Sequence, residues 1–122
     1  MRQRVRQDFD DVFRVPNVLS PSTSSHTPDS SHTQIDILLH PSAIRTAPLL
    51  SPPKPPKDAE SSLDTYVQDI LTVPASLAGL PALNVPCGEG GDGWPVGVSV
   101  VGQWGCDEFV LRAGEIVEQL RG

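Results

Sequence analysis

Thirteen prolines in 122 residues, crowded between positions 16 and 56, set the first limit on what this chain can build. Each proline fixes φ and removes a backbone donor, so neither a long helix nor a central strand can run through that stretch. Residues 16–33, "PNVLSPSTSSHTPDSSHT", add a high share of serine and threonine. They offer too little apolar surface to offset the entropy of ordering, and a disordered loop is expected. "SPPKPPKDAESS", residues 51–62, is a second disordered, proline-rich loop, extended where the prolines adjoin. What remains suffices for one domain at most, with regular structure flanking and separating the loops.

Hydrophobic periodicity places that structure. Val5, Phe9, Val12 and Phe13 recur at helical spacing and predict an amphipathic helix over 2–14 with the apolar stripe inward. "QIDILLHP" predicts a short strand, Ile35–Leu39, stopped by Pro41 and covered on both faces because its apolar run is nearly unbroken. Leu63–Ile70 fits a short helix capped by Ser62 or Asp64. Pro74 then opens another, Ala75–Ala78, which Gly79 ends. Ala82–Val85 reads as a strand. In "WPVGVSVVG" Val96, Val98 and Val100 fall on one strand face and Gly97, Ser99 and Val101 on the other. Asp107 is expected to cap a final helix whose buried stripe is Phe109, Val110, Ala113, Ile116, Val117 and Leu120.

Composition excludes several functions. A net charge of −6 argues against direct nucleic-acid binding or attraction to an anionic membrane. No apolar run approaches the roughly 20 residues of a membrane-spanning helix. The Arg-rich start "MRQRVRQDFDD" is followed at once by acids, unlike a transit peptide, so no targeting peptide is expected here. Cys87 and Cys106 are too few for a disulfide framework and are expected to be buried, reduced thiols. Neither has a second ligand nearby, and His26 and His32 sit in the first loop, so no metal site is expected. Ser51-Pro-Pro-Lys54 matches the SxxK of serine–lysine hydrolases, but that motif needs a helical turn that Pro52-Pro53 forbids. The same prolines fit a spacer better than a PxxP ligand.

Gly88-Glu-Gly90-Gly-Asp-Gly93 fits GxGxxG letter for letter. A dinucleotide fingerprint must open a helix whose N-terminus meets the pyrophosphate. This one opens a strand at Pro95, carries Glu89 and Asp92, which repel phosphate, and has no GK[ST] of a P-loop. It predicts a turn between two strands.

The stretch "YVQDILTVPASLAGLPALNVPCG", followed by "WPVGVSVVG" and "DEFVLRAGEIVE", resembles the C-terminal part of the amidase-signature family. It is most similar to the branch formed by the A subunits of glutamyl-tRNA(Gln) amidotransferases, in their fungal mitochondrial form. "VRQDFDDVF" and "IDILLHPSAIRTAP" resemble that family's helix and the strand ending in its Pro-Thr-x-x-x-x-Ala-Pro-like turn. The resemblance implies an α/β fold, a mixed sheet flanked by helices, in which residues 1–122 are a partial, C-terminal portion of the amidase domain. Strand edges and valine faces would then await the rest of the domain.

The implied activity is hydrolysis of glutamine to ammonia. A partner B subunit, using ATP and Mg, would amidate Glu-tRNA(Gln) with that ammonia, and a small accessory subunit would complete the complex. No cofactor is expected on this chain. The implied compartment is the mitochondrion, otherwise the cytoplasm. The family's nucleophilic serine, its bridging serine on a cis peptide and its lysine have no counterpart here. No catalytic residue is therefore assigned, and the chain alone is expected to be inactive. One site residue carries over: Asp69, in "Y-x-x-D-x-x-T", occupies the position that contacts the glutamine amino group. From the residues alone, Asp69 reads rather as bonding the backbone amides of the Leu71–Val73 bend, and only the resemblance brings the two roles level; Tyr66 and Thr72 read as packing and turn residues. Ser76 stands where the family often has Asn, and Ser99 where it usually has Gln. The alternatives are another amidase-signature amide hydrolase, or a truncated product or pseudoenzyme without catalysis.

Overall fold

The computed structural model describes residues 1–15, 35–47, 66–67 and 69–120. Both proline-rich loops, His26, His32, the Ser51–Lys54 motif and the start of the Leu63–Ile70 helix lie outside the described residues. The described elements are α1 (Arg2–Val12), β1 (Leu38–Pro41), α2 (Val73–Ala78), β2 (Ala82–Glu89), β3 (Pro95–Val101) and α3 (Asp107–Leu120). The expected α/β architecture is present. The three strands form one sheet in the order β1-β3-β2, antiparallel at both pairings.

β3 is the central strand, and its pleat divides the apolar residues between two faces. On one face Val100, Val85 and Val110 form a buried cluster with Ile37, Leu83, Ala113 and Val117 packed on it, so α3 covers this side. On the other, Val101 joins Phe13, Ala75, Ala78 and Leu80, with Val5, Phe9, Leu38 and Trp104 around them, so α1 and α2 cover it. The face assignment made from "WPVGVSVVG" is the one observed.

α1 places Val5, Phe9 and Phe13 along one stripe, the two rings 6.3 Å apart. Val12, expected inward, is 42% exposed, because the chain turns extended at Phe13 and the stripe ends there. Phe13 then pairs with Ile35 in a parallel bridge: Arg14 N–H donates to Ile35 O (2.9 Å) and Ile35 N–H to Val12 O (3.1 Å). With Ile35 so engaged and Asp36 paired with Arg14 at 3.4 Å, the ladder of β1 begins only at Leu38. The strand expected at Ile35–Leu39 is thus shifted toward Pro41. Among the described residues it is an edge strand with Leu39 exposed, not one covered on both faces.

α2 has Pro74 in its first turn, and Gly79 ends it in the left-handed region at φ 76°. Gly79 and Leu80 donate their N–H groups back to Ala75 O, and Gly79 also to Ser76 O, a Schellman-type closure. The last two helical carbonyls take a different donor. Arg2 Nε donates to Leu77 O (3.3 Å) and Arg6 Nε to Ala78 O (3.1 Å), docking α1 on the C-terminus of α2.

β2 runs to Glu89, well beyond the expected Val85. Pro86 and Gly88 read as breakers, yet β2 lies at a sheet edge where proline is tolerated, and a bulge between them absorbs the irregularity. The residues after Glu89 make the expected turn. Gly90 and Trp94 bond across it, Gly93 N–H donates to Gly90 O, and Gly93 takes φ 78°. Asp92 accepts from Trp94 N–H (3.2 Å) and from the Thr46 hydroxyl, tying the segment after β1 to the turn. A Cβ on Gly90 would lie 2.6 Å from Thr46 Cγ2, so the approach requires glycine.

α3 begins at Asp107 itself, because the Cys106 carbonyl accepts Val110 N–H; Asp107 lies in the first turn and is not the cap. The apolar arc of this helix is wider than the surface it covers. Val110, Ala113, Gly114 and Val117 face the sheet, while Phe109, Ile116 and Leu120 are exposed. Gly114 explains the rotation, since a Cβ there would lie 2.2 Å from Leu83 Cδ2 and 3.3 Å from Val85 Cγ2. Cys87 is exposed and Cys106 half-buried, correcting the expectation of two buried thiols. Cys87 falls at the bulge, where its side chain turns to solvent, its Sγ 3.6 Å from Val96 O.

The Gly114 contact can be tested by adding the missing methyl. Gly114→Ala gains up to about 1 kcal/mol of helix propensity but forces α3 off β2 at a typical cost of about 1–3 kcal/mol, a net loss. Chemical denaturation should show it, with Glu118→Ala on the exposed face unchanged; a more stable Gly114→Ala would refute the close contact. A second test concerns Asp92, whose carboxyl is held below the usual carboxylate range, first by the Thr46 hydroxyl and then by Trp94 N–H. A depressed folded pKa contributes stability above the unfolded value, and that contribution is lost as pH falls through the folded value. Asp92→Asn should therefore lower Tm at neutral pH, and its difference from wild type should shrink as pH falls below about 4.

Candidate functional site

The groove between the two docked helices and the sheet is the site these residues can build. It encloses about 220 Å³ and is almost wholly apolar. Phe9 comes from α1, Leu38 and Val101 from the sheet, and Pro74 and Ala75 from α2, while Ile70 and Leu71 enter from the turn before α2. His40, near the end of β1, is the one titratable residue in the wall among the described residues. Its Nδ1 lies 2.7 Å from Pro41 O. A carbonyl only accepts, so Nδ1 carries the hydrogen and a neutral ring keeps its acceptor at Nε2.

Asp69 immediately precedes Ile70 and Leu71, which line the groove, and is not itself in its wall. It is exposed, at the last helical position before a turn. The bend that follows is closed by its main chain: Asp69 O accepts both Thr72 N–H (3.1 Å) and the Thr72 hydroxyl (3.2 Å). Among the described residues the Asp69 carboxylate makes no hydrogen bond or ion pair, so it does not close the bend through the amides of residues 71–73. Thr72 is a turn residue, as expected. Tyr66, expected to pack, is 82% exposed among the described residues.

Beyond His40 the same sheet face turns polar. Ser99, 5% exposed, donates to Ser42 Oγ (3.1 Å), and Ser42 donates to Asn84 Oδ1. Gly97 gives this row its room, since a Cβ there would meet Asn84 Oδ1 at 2.6 Å and Ser42 Oγ at 3.1 Å. His40 stands opposite Ser99 across the β1–β3 pairing, but its Nδ1 bonds Pro41 O and no hydrogen bond joins its ring to these hydroxyls among the described residues, so the row satisfies buried polar atoms. Nor do the described residues include a group of three or more His, Cys, Asp or Glu able to hold a metal.

Sequence reasoning singled out Asp69 and gave no role to His40, which lies just past the strand it expected at Ile35–Leu39. It also missed Arg2 and Arg6, whose contacts span more than seventy residues of chain. Proximity of that kind leaves no local pattern.

Comparison with known proteins fits this arrangement. The Amidase family model matches residues 1–111. The A subunit of the mitochondrial glutamyl-tRNA(Gln) amidotransferase of Mycosarcoma maydis is 46% identical over the whole chain, which covers 22% of that protein. The corresponding A subunit of Rhizorhabdus wittichii is 35% identical, again over the whole chain and 20% of its own length. This chain therefore spans about a fifth of the length of these relatives. Among solved structures, the glutamyl-tRNA(Gln) amidotransferase A subunit of Thermotoga maritima superposes with a TM-score of 0.62 at 32% identity, over 91% of this chain and 19% of that one. A 6-aminohexanoate cyclic dimer hydrolase superposes with a TM-score of 0.53 at 26% identity, over 70% of this chain and 19% of its own. With the family model reaching from residue 1 to 111 and a 46% identical relative aligned along its whole length, the chain belongs to the amidase family.

Proposed function

We propose that this chain is a substrate-positioning part of the A subunit of a glutamyl-tRNA(Gln) amidotransferase in the mitochondrion. In that role the subunit hydrolyses glutamine and releases ammonia. A partner B subunit then uses the ammonia, with ATP and Mg, to amidate Glu-tRNA(Gln), and a small accessory subunit completes the assembly. The observation that carries this reading is the 46% identity, over the entire chain, to the mitochondrial protein of Mycosarcoma maydis. The names of the fungal relatives support the compartment.

Asp69 is the residue through which the chain would act. A carboxylate that makes no hydrogen bond or ion pair among the described residues, next in sequence to two residues of an apolar groove, suits the ammonium of an amino acid, with a charge-assisted bond strengthened where water is thinned. The attacking serine, bridging serine and lysine of the family have no counterpart in this sequence, so these residues orient the amide and do not cleave it. A second reading, hydrolysis of a different amide, is favoured by the likeness to the 6-aminohexanoate cyclic dimer hydrolase, which covers less of the chain.

Two measurements test this. In the full-length subunit, Asp69→Asn should lower kcat/KM for glutamine by about 2–4 kcal/mol, the scale of a lost charge-assisted contact, with Tm and amidation from added ammonium chloride unchanged. Unaltered glutamine dependence would return Asp69 to a structural role. The 122-residue chain alone should show no glutamine hydrolysis above background. Turnover that co-purifies with it would overturn the assignment of catalysis to residues elsewhere.

A further inference from the structure

We infer that Arg6, with Arg2 as a weaker second, is a positioning residue for Asp69; the inference rests on the proposed role of that carboxylate. α2 has six residues, too few to hold its place through its own hydrogen bonds. Its two ends are fixed by different parts of the chain. At the start, Thr72 grips Asp69 O through both its N–H and its hydroxyl, so Asp69 and α2 move as one unit. At the far end, Arg6 Nε donates to Ala78 O in a partly buried bond and Arg2 Nε to Leu77 O in an exposed one.

The Arg6 guanidinium lies along the helix end, within 3.6 Å of where a Cβ on Gly79 would sit. A cation there also complements the partial negative charge of the last carbonyls. α1 is itself anchored to the sheet's end, because Gln103, 1% exposed just beyond β3, donates from Nε2 to Asp10 Oδ1 (3.0 Å). A continuous series of bonds thus runs from β3 through Gln103, Asp10 and Arg6 to α2, and on to Asp69. α1 also supplies Phe9 to the groove wall that Leu71 and Pro74 share. Loss of the Arg6 bond loosens the end of α2, whose Ala75 and Ala78 stay packed in the core, and shifts the unit that carries the carboxylate while leaving the carboxylate itself intact.

The test uses the full-length protein in its complex, with Arg6→Gln, Arg6→Lys, Asp69→Asn and the Arg6→Gln/Asp69→Asn double variant. Arg6→Gln should raise KM for glutamine on the order of tenfold, the equivalent of one hydrogen bond to a charged group. The maximal rate and the rate with ammonium chloride in place of glutamine should hold. Arg6→Lys, which keeps a donor but loses the planar fork, should fall between. In the Asp69→Asn background Arg6→Gln should add nothing, because both act on one contact. An unchanged KM in Arg6→Gln, an equal loss of the ammonium-supported rate, or additive effects in the double variant would each overturn the inference. If Asp69→Asn raises KM while Arg6→Gln is silent, only the positioning role fails. If Asp69→Asn is itself silent, the substrate contact fails and the inference with it.

Discussion

Adjacent residues of a β-strand face opposite ways, and in β3 this rule falls on Val100 and Val101, both fully buried. Each belongs to a separate apolar cluster, one closed by α3 and the other by α1 and α2. The sheet is therefore less a surface for helices to rest on than a partition whose two sides must be filled at once. A register slip of one residue would exchange the two valines and leave both clusters with the wrong partner.

The candidate site inherits its geometry from the α1–α2 side of that partition. Phe9, Leu38 and Val101 make the floor and wall, while Asp69, the proposed polar contact, is exposed at the last helical position before the turn that leads into α2. Such a placement is common where a rigid scaffold presents a functional group from a loop. Here the rigidity is conveyed by polar bonds, from guanidinium to carbonyl and from amide to carboxylate. Polar bonds fix direction as well as distance, which apolar packing does less well.

How far the sequence spoke depended on whether a signal was local. Pro74 and Gly79 bracket α2 as their backbone preferences require, and Gly93 sits in the turn that the strand-opening Pro95 implied. Breakers misled where tertiary position overrode them: Pro86 brings a bulge but does not end the strand, so β2 ran on past Val85. In α3 the periodicity was right and the orientation was not, because the deciding residue was Gly114, whose importance lies in the Leu83 side chain opposite. Asp69 was singled out only through a family pattern. The place of His40 in the groove wall and the Arg6 bond to α2 depend on contacts between distant segments, and no spacing rule encodes them.

The bridge between Phe13 and Ile35 brings together the two ends of residues 16–34. The chain entering and leaving that stretch is stapled at its base by two main-chain bonds and the Arg14–Asp36 pair. Closing a loop costs entropy that grows only with the logarithm of its length, about 0.6 kcal/mol for each doubling. With the base stapled in this way, an insertion between the two ends would add only tenths of a kcal/mol to the cost of closing it, so the flanking helix and strand can stay joined across connections of quite different length.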